Sequence, residues 1–393
     1  MRVLSPILRQ FVYPTLSKVG YFSSRKAASV LTYHGVLPEH YRKVDSFIDS
    51  MLITAESFRA QIRMLKRQHN IISPEHFHDW LLGSRELPQR AMLLTCDDGL
   101  LNNLTVMTPI LREEGLQCLF FVTGASLDKV PQILWYIELY LMIMEAQRNH
   151  SATVWRGMDV PEIDRNPRKR RPQWLALMTG LSAFEAPKRA FFLQEAEQRW
   201  GVAPDWKRRY LDDPLLRQRF QPMGAAELRQ LADAGMTIGS HTFSHPELSR
   251  QTEGMARREI IDFRRELEIC TQRAVWALAY PFGNPSSVGE RELQLAEEAG
   301  YNCAFMNMLG EVAAKNRFAL PRVHVGADMN LAVLEAHATG LHHDVQRWLS
   351  PSVPINVLTP EADARIRRAG GGNGTSGTQD SSFPVSIPLL DRR

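Results

Sequence analysis

Residues 91–99 read AMLLTCDDG, an apolar run that ends in two adjacent carboxylates, Asp97 and Asp98, followed by Gly99. A short apolar run that stops at turn-forming residues is typical of a strand buried on both faces. Two like charges at the end of such a strand repel each other, and removing them from water is costly. A bound cation would resolve this repulsion. Asp and Gly are also common turn residues, so this stretch alone leaves a plain turn as the alternative.

Strand and helix patterns alternate along the chain on both sides of this stretch. Strand patterns occur at 29–36, 91–95, 118–122, 236–240, 275–280, 301–305 and 318–325, and helical patterns at 54–69, 225–234 and 252–272. Thr54 is a predicted N-cap, and the S-x-x-E sequence at Ser287 and Glu290 predicts a capping box that opens a further helix. Repeated βα units predict a parallel sheet covered by helices, either a closed barrel or an open doubly wound sheet.

The alternation is interrupted between about residues 128 and 222, a stretch that we call the insertion. Its residues 135–147 predict a helix with one apolar face, and the basic run RNPRKRRPQW at 165–174 favours a solvated surface over an anion site. An insertion of this length is expected to lie over one end of the sheet, where loops build binding sites. The predicted organisation is a basic N-terminal segment at 1–28, a main domain at 29–345 that carries the insertion, and a disordered Gly/Ser/Thr-rich tail at 369–393.

Composition and charge exclude several classes of protein. The chain has 393 residues, of which 44% are hydrophobic and 23% charged, as is usual for a globular protein. A net charge of +4 gives little support to nucleic-acid binding, so we expect no nucleic-acid partner. The cysteines are far apart and form no C-x-x-C pair, which indicates a reducing compartment.

The first 38 residues contain five basic residues and no acidic residue. Pro6 and Pro14 interrupt the apolar stretches, which are too short for the apolar region of a signal peptide. No run reaches the ~18 apolar residues of a membrane-spanning helix. We expect a cytoplasmic bacterial location, with peripheral membrane association through the basic segment as the alternative; the oligomeric state stays open.

A second polar cluster, GSHTFSHPELS at 239–249, follows another predicted strand. His241 and His245 are four residues apart, so a turn of helix or a tight loop can direct both imidazoles to one point. Two histidines and one carboxylate form a common catalytic zinc set, with one coordination position left for water. The alternative is a helix-capping cluster with surface histidines. Together with the strand-end carboxylates, the pair predicts a divalent metal site.

A third turn, AYPFGNPSS at 279–287, follows the strand pattern at 275–280. A Pro-Phe-Gly turn can direct a backbone N–H into a cleft, as stabilisation of an oxyanion requires. Proline and glycine are also ordinary loop residues, which is the simpler interpretation.

The three motifs TCDDG, HTFSH and YPFG, in this order and each at a strand end, resemble those of the polysaccharide deacetylases, carbohydrate esterases that share the NodB homology domain. LTYHGV at 31–36 and the run from Phe58 to Leu65 resemble the branch of the family associated with exopolysaccharide and cell-surface glycan synthesis. The resemblance covers about residues 29–128 and 223–340.

The resemblance implies a distorted (β/α) barrel with one divalent ion, zinc or alternatively cobalt, nickel or manganese. It also implies removal of N-acetyl groups from amino sugars of a polysaccharide or glycan precursor. By position, Asp97 matches the catalytic base of the family; Asp98, His241 and His245 match its metal ligands; and Pro281, Phe282 and Gly283 form the oxyanion and substrate-binding turn, through the Phe282 N–H.

The chain departs from the family pattern at Ala279, where many members have an arginine that orients the catalytic aspartate. On the strand pattern at 318–325, Arg322 and His324 alternate onto one face, so Arg322 is the predicted substitute. His324 then becomes the candidate general acid for the leaving amine. His34, at the end of the first strand, is the competing candidate. For either histidine, the alternative is a purely structural role.

Two other functions compete with a hydrolase. The altered third motif would fit an inactive deacetylase-like module that binds glycan or a protein partner, although the complete set of Asp97, Asp98 and two histidines argues against it. The interleaved basic and aromatic residues at 168–171 and 206–210 would fit a nucleic-acid binder, which the modest net charge disfavours.

Overall fold

The computed structural model describes residues 28–129, 132–148, 160–308, 310–327 and 329–340. The strands are β1 (Ser29–Tyr33), β2 (Val36–Leu37), β3 (Ile53–Thr54), β4 (Asn70–Ile71), β5 (Ala91–Cys96), β6 (Leu119–Val122), β7 (Thr237–Ser240), β8 (Ala277–Ala279), β9 (Cys303–Met306), β10 (Leu320–Pro321) and β11 (Val323–His324).

The α-helices lie between and after these strands. They are α1 (Ala55–Gln68), α2 (Pro74–Leu81), α3 (Thr108–Glu113), α4 (Trp135–Arg148), α5 (Arg170–Leu181), α6 (Ala186–Arg199), α7 (Arg208–Leu211), α8 (Pro214–Phe220), α9 (Ala225–Asp233), α10 (Glu253–Arg257), α11 (Phe263–Thr271), α12 (Glu290–Glu298) and α13 (Leu331–Ala338). Short π-helical turns at Asn103–Met107 and Arg258–Asp262 join α3 and α11 to the residues before them.

The strands form a nearly closed parallel barrel. Eight of them are hydrogen-bonded in the order β10-β9-β8-β7-β6-β5-β1-β11. A ninth strand, β4, pairs with β5 but lies outside this order. The predicted strand at 318–325 is broken at Arg322: β10 pairs with β9, whereas β11 pairs with β1. This one segment therefore bridges the two edges of the sheet. The predicted (β/α) barrel is confirmed, and the open doubly wound sheet is excluded.

Alternate residues of the strands build the apolar interior. One cluster takes buried side chains from β1, β5, β6, β8, β9 and β10, and Phe77 of α2 belongs to it. Its strand members include Val30, Leu93, Leu119, Phe121, Ala277, Ala279, Phe305 and Leu320. Because side chains alternate along a strand, the intervening residues pack against the outer helices.

Two local predictions about helices have different outcomes. The Thr54 N-cap is confirmed, because its side chain accepts a hydrogen bond from the Ser57 N–H at the start of α1. The predicted capping box at Ser287 and Glu290 is wrong. Helix α12 begins after Gly289, whose N–H donates to Glu292 Oε2 at 2.7 Å. The S-x-x-E and G-x-x-E patterns overlap here, and Ser287 instead belongs to the preceding turn, where its hydroxyl donates to the Asn284 carbonyl.

The described part of the insertion is helical and has its own core. Helix α4 was predicted to have one apolar face, but eleven of its fourteen residues are buried, so it packs on all sides. Trp200 and Trp206, in the connection between α6 and α7, and Phe220 of α8 belong to the same cluster. In the basic run, Arg170 is not solvated freely but pairs with Asp45 at 2.6 Å.

Parts of the predicted organisation lie outside the described residues. They are residues 1–27 of the N-terminal segment, 341–345 of the main domain and the tail at 369–393. Within the described parts of the chain, no helix is long and apolar enough to cross a membrane.

The start of the loop after β6 predicts a measurable steric effect. The Gly124 N–H donates to the Phe243 carbonyl at 2.7 Å, and a Cβ at this glycine would lie 2.4 Å from the Phe243 ring. We expect Gly124→Ala to lower the free energy of unfolding by about 1–3 kcal/mol, as overpacking does. Gly180→Ala is the control, because a Cβ there meets nothing within 4 Å. Urea denaturation measures both variants, and equal stability of the two would contradict the predicted clash.

Candidate metal centre and active site

Asp98, His241 and His245 converge at the carboxyl end of the barrel. Asp98 Oδ1 lies 3.8 Å from His241 Nε2 and 3.9 Å from His245 Nε2. All three side chains are buried, and their ligand atoms lie within 4.8 Å of one another. These separations are too long for hydrogen bonds and suit atoms arranged around one ion. The three residues that the sequence predicted as ligands thus form a group that could hold a metal ion.

The protonation of this group fits a metal site. His241 Nδ1 lies 2.7 Å from the Ala279 carbonyl, to which it donates, so its Nε2 presents a lone pair towards Asp98. Burial lowers the pKa of His245 well below its ordinary value, which keeps that imidazole neutral. Burial, together with the charge of Asp97, raises the pKa of Asp98 although His241 opposes this. A cation would reverse that rise.

The turns that carry the site have strained backbones. Asp98, His245 and Phe282 have φ angles of 75°, 53° and 61°, in the left-handed region that non-glycine residues rarely occupy. Each of the three motifs contributes one of them. Backbone strain of this kind persists only where surrounding structure over-determines the conformation, and it concentrates at functional sites.

The loop that carries His245 is held from several sides. Trp135 Nε1 of the insertion donates to the His245 carbonyl at 3.2 Å. Arg189 Nη2, also from the insertion, donates to the Ser244 carbonyl at 2.7 Å. The buried carboxylate of Glu259 accepts from the Ser244 N–H at 2.7 Å and from its hydroxyl at 2.6 Å. Glu259 lies in the second π-helical turn, and such turns are frequent at functional sites.

Asp97 is bound by Arg322. Arg322 Nη1 donates to Asp97 Oδ1 at 2.7 Å, and Nη2 donates to Oδ2 at 2.8 Å. Nη1 also lies 3.2 Å from Thr32 Oγ1 and 3.4 Å from Thr95 Oγ1. Burial alone would raise the pKa of Asp97, but the Arg322 charge and its hydrogen bonds, with His241, hold that pKa well below its ordinary value. Asp97 is therefore an ionised, oriented carboxylate.

The Arg322 guanidinium lies in the barrel interior near two aromatic side chains. Ala279 is buried and pairs with Phe305 on the neighbouring strand. The Arg322 guanidinium carbon lies 5.8 Å from the centre of the Phe305 ring and 5.3 Å from that of Phe121. The guanidinium thus reaches Asp97 across the barrel interior rather than making a surface ion pair.

The two candidate general acids lie side by side. The ring centres of His34 and His324 are 4.8 Å apart, in an edge-to-face arrangement. His324 is exposed, which contradicts a core-packing role, and His34 is half-buried. Burial lowers the pKa of His34 to about 4 although Asp97 opposes this, so His34 is neutral at pH 7.

The Pro281–Gly283 turn lies against the same site. The Phe282 ring centre is 5.2 Å from that of His245. The Gly283 N–H donates to the Pro281 carbonyl at 2.6 Å, and the Gly283 carbonyl accepts from the Asn307 N–H. Because the Gly283 N–H is occupied within the turn, the Phe282 N–H is the donor that this turn can offer to a ligand.

The structure adds residues that the sequence did not indicate. Tyr136 and Trp135 at the start of α4 contact His245, and Arg219 at the end of α8 acts on Asp98 through its charge. The only local signal was a Trp-Tyr pair at the head of an apolar run, which core packing explains equally well. The Ala279 carbonyl orients the His241 ring through the backbone, so no residue type in the sequence indicates this contact.

Comparison with known proteins confirms the resemblance. Residues 171–304 match the family model for polysaccharide deacetylase, a stretch that includes both site histidines and the Pro281–Gly283 turn. The chain is also 28% identical over 115 residues to YxkH of Bacillus subtilis (strain 168), a protein named after the polysaccharide deacetylases. That match covers 28% of this chain and 39% of the relative, so it spans about two fifths of the relative's length.

Solved structures of other proteins align with this chain. The deacetylase PplD of Streptococcus pyogenes, in complex with acetate, aligns with a TM-score of 0.50 at 16% identity, covering 79% of this chain and 98% of that chain. IcaB from Ammonifex degensii aligns with a TM-score of 0.49 at 16% identity, covering 80% and 98%. The likeness to PplD agrees with the barrel described above.

The two adjacent carboxylates predict different responses to zinc. A ligand that binds only the folded chain stabilises it, by about 2.7 kcal/mol at 100 times its Kd. We expect zinc to raise the Tm of the wild type and of Asp97→Asn, and to have little effect on Asp98→Asn, which lacks the charged ligand. Metal-free Asp97→Asn should unfold at a lower temperature, because Arg322 loses its partner. Thermal unfolding with and without zinc, and metal content by mass spectrometry, test this; equal loss of the zinc response in both variants would refute the distinction.

Proposed function

We propose that this chain, of which residues 171–304 match the polysaccharide deacetylase family, is a metal-dependent hydrolase that removes N-acetyl groups from amino sugars. The observation that carries this proposal is the buried group of Asp98, His241 and His245 beside a carboxylate that Arg322 holds ionised. Hydrolysis of an amide by water requires activation of the carbonyl and of the water, which a metal site and an adjacent oriented base can supply.

The side chains divide the reaction between them. Asp98, His241 and His245 would hold a divalent ion, zinc in our proposal, which would supply Lewis-acid chemistry by polarising the acyl carbonyl and lowering the pKa of water. Asp97 accepts the proton of the attacking water, and Arg322 keeps this carboxylate ionised and fixes its direction. The Phe282 N–H donates to the acyl oxygen as it becomes negative. The leaving nitrogen takes a proton from His324, the exposed member of the histidine pair. The competing candidate, His34, is neutral at pH 7 and would first have to take up a proton.

The substrate class follows from the motifs rather than from the geometry. LTYHGV at 31–36 and the Phe58–Leu65 run resemble the exopolysaccharide and surface-glycan branch. We therefore propose an N-acetylated polysaccharide, or a precursor of one, as the substrate. A cytoplasmic precursor would agree with the reducing compartment that the cysteines indicate; all four are free, and burial raises the pKa of Cys96 well above its ordinary value.

Acetate release tests the proposed reaction directly. We expect the zinc-loaded chain to release acetate from N-acetylglucosamine oligomers and none from fully deacetylated oligomers of the same length. EDTA should abolish the release, and added zinc should restore it. A folded, zinc-loaded chain that binds the oligomers without releasing acetate would instead support an inactive glycan-binding module.

The proposed role of Arg322 in orienting Asp97 predicts the activity of two variants. Arg322→Ala should lower kcat about 100-fold, within the range that a general base contributes, because Asp97 loses both its orientation and its counter-charge. Zinc content should stay normal, since Arg322 does not contact the ligands' metal-facing atoms. Adding Ala279→Arg to this variant should restore part of the rate by supplying a guanidinium from β8.

Arg317→Ala is the matched control for this pair. Arg317 lies in the same segment and makes an exposed ion pair with Glu297 at 3.0 Å, so its loss should leave kcat unchanged. Full activity in Arg322→Ala would assign the orientation of Asp97 to another group.

A further inference from the structure

Tyr136, on the insertion, places an unpartnered hydroxyl beside the candidate metal ligands. Its side chain is at the first turn of α4 and is only 7% exposed. The ring centre lies 4.8 Å from that of His245, with the planes inclined at 39°. The hydroxyl is buried and has no hydrogen-bond partner. A buried polar group without a partner is costly, and such groups in native proteins are rare.

The hydroxyl faces Asp98. The contact is close enough for a side-chain hydrogen bond between Tyr136 and Asp98 to act on both groups, but its geometry is not that of a normal hydrogen bond. Burial raises the pKa of Tyr136 well above its ordinary value, and the charge of Asp98 and this contact add to the rise. A phenol is protonated at neutral pH and can donate. A hydrogen bond of poor geometry is weak, so a better placed acceptor can take this donor.

A second buried donor of the insertion accompanies Tyr136. Arg219, at the end of α8, is 1% exposed and pairs with Asp49 at 3.1 Å. Its Nη2 donates to the Ile48 carbonyl at 2.6 Å, whereas its Nη1 has no partner. The Arg219 charge acts on both Asp98 and Tyr136. Arg219 Nη1 is thus a second buried donor atom of the insertion without a partner, and the charge of this arginine acts on the same carboxylate.

We propose that Tyr136 is a catalytic residue supplied by the insertion, whose hydroxyl donates a hydrogen bond to the acyl oxygen of the substrate during hydrolysis. This inference rests on the proposed deacetylase function and adds a donor that the three motifs do not contain. The acceptor is the acyl oxygen because this is the atom that must lie beside the group formed by Asp98, His241 and His245 while water attacks the adjacent carbon.

The step balances without transfer of the tyrosine proton. Water adds to the carbonyl carbon, and its proton passes to Asp97. The carbonyl π electrons move onto the oxygen, whose negative charge strengthens the bond from the Tyr136 hydroxyl. The electron pair on the oxygen then re-forms the carbonyl bond as the carbon–nitrogen bond breaks and His324 protonates the nitrogen. The products are an amine and acetic acid, which ionises in solution, and the proton held by Asp97 passes through water to restore His324.

Tyr136→Phe and Tyr140→Phe test the proposal as a matched pair on one helix. Both remove a single hydroxyl, but that of Tyr140 has its own partner, because it donates to Asp45 Oδ1 at 2.7 Å. Each full-length variant is compared with the wild type in four measurements. They are zinc content, the Tm of the metal-free chain, kcat and KM on N-acetylglucosamine oligomers, and the Kd of acetate measured by calorimetry on the zinc-loaded chain.

We expect Tyr136→Phe to keep its zinc and its Tm while kcat falls about 100-fold, the loss typical of one oxyanion donor, with KM little changed. Acetate should bind about tenfold more weakly, because a hydrogen bond to a charged group is lost. Tyr140→Phe should show the reverse pattern, a lower Tm with kcat and acetate binding nearly unchanged.

Three results would overturn the proposal. One is a Tyr136→Phe variant with wild-type kcat and acetate affinity. Another is loss of zinc together with kcat, which would make Tyr136 a positioning residue for Asp98. The third is a fall in Tm, or failure to fold, matching that of Tyr140→Phe, which would indicate a structural tyrosine. If the wild type releases no acetate, the proposed function fails. The acetate affinities of the wild type and of Tyr136→Phe then show whether the Tyr136 hydroxyl contacts an acyl oxygen.

Discussion

The ion pair between Arg322 and Asp97 joins the architecture of this protein to its chemistry. The two side chains are 0% and 1% exposed, so both charges have lost their water. Such a pair is tolerated only with good geometry and satisfied neighbours, which the two parallel hydrogen bonds and the hydroxyls of Thr32 and Thr95 provide. Removal of one partner would leave a buried charge, at a cost of about 3–5 kcal/mol.

The same arginine marks the point at which the barrel closes. Its N–H donates to the Met306 carbonyl on β9, whereas three residues later the Val325 N–H donates to the Thr32 carbonyl on β1. The backbone changes partner at Arg322 while the side chain turns inward to Asp97. Closure of the sheet and orientation of the proposed base therefore depend on one residue, which explains why an arginine from the last strand can replace one from the third motif.

Sequence patterns predicted the site better than they predicted its surroundings. Residues at the carboxyl ends of parallel strands must meet at one edge, so the motifs containing Asp98, His241 and His245 could be placed together without knowledge of the closed sheet. Closure itself depends on a two-residue pairing on each side of Arg322, and such short strands carry no periodic signal. The contacts of Tyr136 depend on how a buried helix packs, and an apolar run does not specify which of its residues face a site.

The insertion makes the two sides of the site unequal. On the side of α4, Trp135 and Tyr136 cover His245, and the metal-facing groups are nearly inaccessible. Exclusion of water there strengthens the interaction of fixed donors with a developing charge, because the local dielectric constant falls.

His324 is exposed and His34 is half-buried, so a polymer has room to approach the site over this histidine pair. An acetamide that enters from this side would point its acyl oxygen towards the covered donors and leave its nitrogen, attached to the sugar, near the exposed histidine. The proposed reaction requires both an oxyanion site with fixed donors shielded from water and a proton donor in contact with water. The asymmetry that the insertion imposes on an otherwise regular barrel allows one cleft to meet both.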